Sequence, residues 1–166
     1  TQKTIEKNIF VEGKGVHTGE NVKVNILPSG PNSGIVFKRI DVDENINLIE
    51  ASYKNVYSPV LCTRIKNSNG VSVSTIEHLM AAFYGEGIDN ILVEIDAPEV
   101  PIMDGSAFDF VEAIRSYGTE TQKDKKKFIK ILKKVEIKEG KKSISIEPFD
   151  KDLVIDFQIV YENPLI

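Results

Sequence analysis

Ser74-Thr-Ile-Glu-His-Leu-Met-Ala-Ala82, running on through Phe83 to Gly87 and then into Ile88-Asp-Asn-Ile-Leu-Val-Glu-Ile95, is where the chain changes character. Ile76, Leu79, Met80 and Phe83 recur at helical spacing and predict a helix with one apolar face. Ser74-Thr-Ile-Glu77 has the form of a capping box, with Glu77 placed to reach back to the cap, and Gly85 is the predicted close. Ile88 to Ile95 is apolar and rich in β-branched residues, which predicts a well-buried strand.

Upstream the chain reads as short strands broken by glycine. Ile5 to Val11 is the first, and Glu12-Gly-Lys-Gly15 with Val16-His-Thr-Gly19 makes a tight, irregular hairpin. Val22, Val24 and Ile26 alternate with Lys23 and Asn25, the mark of a half-buried strand. Ile35 to Ile40 and Leu61 to Ile65 are further strands, and Asn67-Ser-Asn-Gly70 has hairpin-turn chemistry. Downstream, Ala97-Pro-Glu-Val-Pro101 is a rigid connection and Asp104-Gly105 a turn. Ser106 caps a second helix, which turns Phe108, Val111 and Ile114 inward and ends at Gly118. The expected domains are residues 1–120, a lysine-rich linker over 121–127, and an unfinished unit over 128–166 with strands at 128–137, 143–146 and 153–161. The class is α+β.

Composition narrows the function. The chain has 166 residues, 41% of them apolar, and a net charge of −4, so it carries a core but no basic footprint for nucleic acid. No apolar run approaches the roughly 20 residues of a membrane span. A polar start at Thr1 to Asn8, with no apolar stretch after it, argues against a signal peptide, and the absence of an initiating Met suggests a processed or cut chain. The single Cys62 cannot form an internal disulfide, which favours a reducing, cytoplasmic setting. With only His17 and His78, the chain holds no zinc cage built from histidine and cysteine alone.

Glu77-His78 is the most informative pair. Adjacent helical residues point roughly 100° apart, but at a first turn both can reach one cleft. The helix dipole favours an ionised Glu77 there, as a general base requires, and a neutral His78 imidazole can bind zinc. From the dipeptide alone, Glu77 as a capping residue and His78 as a core or surface histidine is the simpler reading, and capping and catalysis need not exclude each other. His17, bounded by Gly15 and Gly19, sits where backbone can approach a ligand, or is a solvated turn residue. Cys62 is by default a buried, inert thiol, with Arg64 the one basic residue beside it. Asp104 is most simply a turn residue. Lys141-Lys142 is a hairpin end that could also meet a phosphate.

Gly15-Val-His-Thr-Gly19, Leu61-Cys-Thr63, Ser74-Thr-Ile-Glu-His-Leu-Met-Ala-Ala82, Gly87-Ile-Asp-Asn90 and Pro101-Ile-Met-Asp-Gly-Ser-Ala107 occur in this order and at these intervals. Together they resemble UDP-3-O-acyl-N-acetylglucosamine deacetylase, the zinc enzyme of lipid A synthesis in Gram-negative bacteria. The resemblance runs the length of this chain but covers only the amino-terminal part of the family's protein, which is nearly twice as long. It implies two similar α+β domains, each a two-layer sandwich of a sheet on a pair of helices, with the active site between them. This chain would then hold the complete first domain and the opening strands of the second.

The resemblance also implies roles. Glu77 matches the base and His78 the first ligand of one Zn2+. The other two ligands, in a His-x-x-x-Asp motif, and a histidine acting as general acid fall outside this chain. His17 matches a histidine lining the cleft, and Leu61 and Cys62 match residues beside the metal and the acyl-chain passage. Asp104 matches an aspartate near the site. Lys142 matches a hairpin lysine approaching the UDP phosphates, and Tyr161 an aromatic under the uracil. Arg64 departs from the small or apolar residue expected after Leu-Cys-Thr. The implied partner is UDP-3-O-acyl-N-acetylglucosamine. The fragment alone is expected to be inactive, without tightly bound zinc, and able to self-associate through exposed strand edges. Two other classes remain open: a non-catalytic binding or scaffold module on the same fold, and a plain α+β domain in which Glu77-His78 is only a cap and its neighbour.

Overall fold

A computed structural model of the chain describes residues 1–58, 60–151 and 153–161. It divides into two compact units, Thr1–Lys126 and Lys127–Ile166. The first half of unit one contributes β1 (Lys3–Ile5), β2 (Ile9–Lys14), β3 (Asn21–Pro28), β4 (Ile35–Arg39), β5 (Leu48–Glu50), β6 (Arg64–Lys66) and β7 (Ser72–Ser74). After these come α1 (Glu77–Glu86), β8 (Ile91–Ile95), α2 (Phe108–Tyr117) and β9 (Thr119–Thr121). The second unit contributes the hairpin strands β10 (Val135–Glu139) and β11 (Lys142–Ile146). The fold is mixed α+β.

Five strands form the central sheet in the order β2-β3-β8-β4-β5, with β4 and β8 parallel and the other neighbours antiparallel. Val22, Val24 and Ile26 alternate as expected, all buried on one face of β3. On β8, Ile91, Val93 and Ile95 are buried while Leu92 and Glu94 are only half-buried on the opposite face. That strand is therefore one-sided rather than wholly buried, and Glu94 uses its open side to pair with Lys38 at 2.9 Å. The inward residues of the sheet join Leu79, Ala82 and Phe83 of α1 and Phe110 and Ile114 of α2 in one apolar cluster. Each large side chain in it contributes about 1.5–3 kcal/mol of burial. β5, absent from the sequence reading, adds Ile49 to this cluster.

The helix ends depart from expectation in an instructive way. Ser74 belongs to β7, and its hydroxyl donates to Pro98 O at 3.1 Å instead of capping α1. The residue before α1 is Ile76, which makes no side-chain cap. The cause is Thr75, whose φ of 57° turns the chain sharply between strand and helix and carries Ser74 away from the helix N–H groups. At the other end α1 passes through Gly85 and closes at Gly87, with φ 71°. Gly87 N–H bonds Tyr84 O and Ile88 N–H bonds Phe83 O, a Schellman closure. In α2, Ser106 Oγ accepts the Phe108 N–H at 3.0 Å and Gly118 ends the helix. Phe108 itself faces solvent; the buried positions are Phe110 and Ile114, with Val111 half-buried.

Three segments are placed differently from their reading. The expected strand at Leu61 starts only at Arg64, because Leu61 takes a φ of 62° and bends the chain. Residues 121–126 of the expected linker are fastened to unit one. β9 pairs with β1, Gln122 N–H bonds Gln2 O at 2.9 Å, Gln2 N–H bonds Asp124 O at 2.8 Å, and Lys126 Nζ sits 3.1 Å from Asp89. In the second unit the Gly140 turn joins β10 to β11, while residues 128–134 and 153–161 form no regular element.

Candidate active site at the mouth of helix α1

Glu77 is the first residue of α1 and half-buried. Its Oε2 accepts the backbone N–H of Thr63 at 3.1 Å, and Ile76 N–H returns a bond to Thr63 O at 3.4 Å. These two bonds bring the Leu61-Cys-Thr63 and Glu77-His78 segments together. One carboxylate oxygen is thereby fixed, while Oε1 has no hydrogen-bond partner among the described residues. The neighbouring His78 is also half-buried, and neither imidazole nitrogen is hydrogen-bonded among the described residues. An orienting bond on one side and open donor atoms on the other suit a base beside a metal ligand.

Asp104 lies in the exposed turn before α2. It accepts the Ser106 N–H and hydroxyl, each at 2.8 Å. Those bonds, the backbone one foremost, hold its carboxyl below the usual range.

His17 is exposed in the turn after β2. Its backbone N–H and that of Thr18 bond the carboxylate of Glu99, at 3.0 Å and 2.8 Å. Glu99 is wholly buried and also accepts the Thr75 hydroxyl at 2.9 Å. Burial pushes its carboxyl up, but the His17, Thr18 and Thr75 bonds together outweigh that and leave it lowered. The sequence reading passed over Glu99 as part of a rigid connection. Its signal was an acidic residue in an otherwise apolar, proline-flanked stretch.

Leu61 is 87% exposed and Cys62 buried. The Cys62 thiol accepts from Arg64 Nε at 3.1 Å, which gives the unexpected Arg64 a local role. Leu61, Thr75 and Met103 all have positive φ, and each lies one or two residues ahead of Cys62, Glu77 or Asp104. Such conformations cost about 1–3 kcal/mol each and gather at functional sites. Lys142 opens β11 opposite Glu139, and Tyr161 is exposed outside any regular element; both belong to the second unit. Among the described residues no group of three or more His, Cys, Asp or Glu side chains could hold a metal, and no helix is long and apolar enough to cross a membrane.

The first unit is thus an α+β fold with a half-buried glutamate and a half-buried histidine at the first turn of α1. The family model of UDP-3-O-acyl N-acetylglycosamine deacetylase (LpxC) matches residues 2–166, and the chain belongs to that family. It is 44% identical over 165 residues to the UDP-3-O-acyl-N-acetylglucosamine deacetylase of Pseudoalteromonas translucida, covering 99% of this chain and 54% of that protein. The correspondingly named protein of Colwellia psychrerythraea is 41% identical, with 99% and 53% covered. That of Haemophilus influenzae strain PittEE is 41% identical over the same shares. The chain spans about half the length of these curated relatives.

Proposed function

We propose that the full-length protein removes acetate from the 2-acetamido group of UDP-3-O-acyl-N-acetylglucosamine, an early committed step of lipid A synthesis in the cytoplasm, with Glu77 as general base and His78 as a zinc ligand. The observation that carries this is the half-buried Glu77-His78 pair, with Oε1 and the imidazole unpartnered among the described residues. Family membership over nearly the whole chain supports it.

Zinc, when bound, supplies a Lewis acid that lowers the pKa of water and stabilises a tetrahedral oxyanion. His78 offers a neutral nitrogen donor from a helix turn fixed by the core. Glu77 takes a proton from the attacking water at Oε1, while the Thr63 N–H holds Oε2 and so aims the carboxylate. His17 and Asp104 line the cleft, Leu61 and Cys62 lie along the acyl chain, and Lys142 and Tyr161 meet the phosphates and the uracil. In this reading residues 128–166 begin a second, similar domain, and the remaining zinc ligands and general acid belong to the other half of the protein.

The test is acetate release and zinc content of the full-length protein with Glu77→Gln. Gln keeps an acceptor for Thr63 but cannot take a proton. Loss of turnover with zinc retained is expected; near-normal turnover overturns the reading.

A further inference from the structure

The buried carboxylate of Glu99 stands at a junction of three chain segments. His17 N–H and Thr18 N–H reach it from the turn after β2, and Thr75 Oγ1 reaches it from the kink before α1. Glu99 itself lies where residues 98–100 run beside the end of β7: Ser74 N–H bonds Pro98 O at 2.9 Å and Val100 N–H bonds Ser74 O at 3.0 Å. The donors to Glu99 are His17 itself, its neighbour Thr18, and Thr75, two positions before Glu77.

Two further observations show that the chain is shaped around this carboxylate. Gly15 has no left-handed backbone to account for it, yet a Cβ there would overlap Glu99 Oε2 and Thr18 Oγ1 and lie 2.9 Å from Glu99 Cδ. The turn lacks a side chain at the point where the carboxylate enters. Thr75 is a β-branched residue at φ 57°, a genuine outlier, and it is 2% exposed with its hydroxyl on Glu99 Oε1. A buried ion is costly where an apolar side chain would pack as well. The carboxylate is held by donors from two separate loops rather than by the sheet.

We propose that Glu99 is a positioning residue of the deacetylase site: its carboxylate anchors the His17 turn and the Thr75 kink to one rigid point, and so sets His17 against Glu77-His78. This rests on the proposed function. It asks nothing of Glu99 in the reaction itself. The anchor fixes the geometry in which substrate meets the base, where a misplacement of about 1 Å costs on the order of a hundredfold.

The experiment compares unsubstituted full-length protein with Glu77→Gln, Glu99→Gln and Thr75→Val, reading kcat, KM, zinc content and the amide proton shifts of His17 and Thr18. Gln at 99 replaces one acceptor oxygen by an NH2 that faces N–H donors. Val at 75 removes a single hydroxyl at constant shape, and it decides the question should Glu99→Gln fail to fold. The expected result for both is a fall in kcat of about tenfold to a hundredfold, with zinc content unchanged, KM moving less than kcat, and the His17 and Thr18 amides shifted in Glu99→Gln. Unsubstituted kcat in Thr75→Val and in folded Glu99→Gln, alongside an inactive Glu77→Gln, overturns the positioning role alone. No acetate release from the unsubstituted, zinc-loaded protein overturns the functional reading on which it rests.

Discussion

Thr63 donates its backbone N–H to Glu77 Oε2 at 3.1 Å, so a loop fourteen positions earlier in the chain fixes the orientation of the helix-mouth carboxylate. Because the donor is backbone, no substitution at 63 removes it short of proline. Oε2 is thereby committed to Thr63, while Oε1 has no hydrogen-bond partner among the described residues.

That division separates two variants. Glu77→Gln in the full-length protein is expected to keep zinc and lose turnover by about 10²–10⁴-fold, the usual contribution of a positioned base. His78→Ala is expected to lose zinc and turnover together. Elemental analysis beside a single-turnover acetate assay distinguishes them, and equal zinc loss in both would remove the distinction between base and ligand.

Glycines 15 and 87 are required for different reasons, and alanine at each should show it. At Gly87 a Cβ meets nothing closer than Lys126 Nζ at 3.6 Å, but φ is 71°. Gly87→Ala is expected to lower stability by about 1–2 kcal/mol, the left-handed penalty, and to leave activity alone. Gly15→Ala displaces Glu99 and is expected to lower kcat. Thermal melts and turnover on the same two preparations check both.

Acid should loosen the clasp between β4 and β7. Arg39 donates to both oxygens of Asp41, at 2.7 and 2.6 Å, and to Ser72 O at 2.8 Å. The Arg39 hydrogen bond, the largest cause, holds the Asp41 carboxyl below its ordinary value of 3.8. A depressed folded value means the stabilisation is fully present above the unfolded carboxyl pKa, about 3.9, and is lost as pH falls through the folded one. Asp41→Asn should therefore lower the melting temperature at neutral pH and flatten its decline below about pH 4. Parallel pH curves for the two proteins would show that Asp41 is not part of the acid response.

The hairpin of the second unit pairs Val135 with Ile146 and Ile137 with Ile144, and all four side chains are exposed. The 166-residue chain on its own is expected to self-associate through this surface and its strand edges. Sedimentation velocity over a concentration series checks this: a rise in mean s value is expected, and Ile137→Lys should suppress it.

How much of this was legible in the sequence depends on the range of the interaction. Val22, Val24 and Ile26 announced β3, and Leu79 with Phe83 announced the buried side of α1, because a two- or 3.6-residue period is a local property. The helix start misled. Ser74 and Glu77 have capping-box spacing, but the left-handed Thr75 between them breaks the geometry the motif assumes. β1, β5 and β9 are three residues each, too short to show a period, and the β1–β9 register joins Lys3 to Thr121. At the site, Glu77 and His78 stood out as an unusual dipeptide. Glu99 did not, since only folding brings positions 17, 75 and 99 to one carboxylate.

The pairing of β1 with β9 has a consequence for how the unit is made. Gln2 reaches Asp124 and Lys125, so the first strand waits, during translation, for the segment after α2 to leave the ribosome before its edge is closed. Until then β1 and the buried ring of Gln2, Thr4 and Asn90 lack their last partners. Nascent chains shorter than that point should be substrates for chaperones, and a protease should cut at β1 until the closing strand emerges.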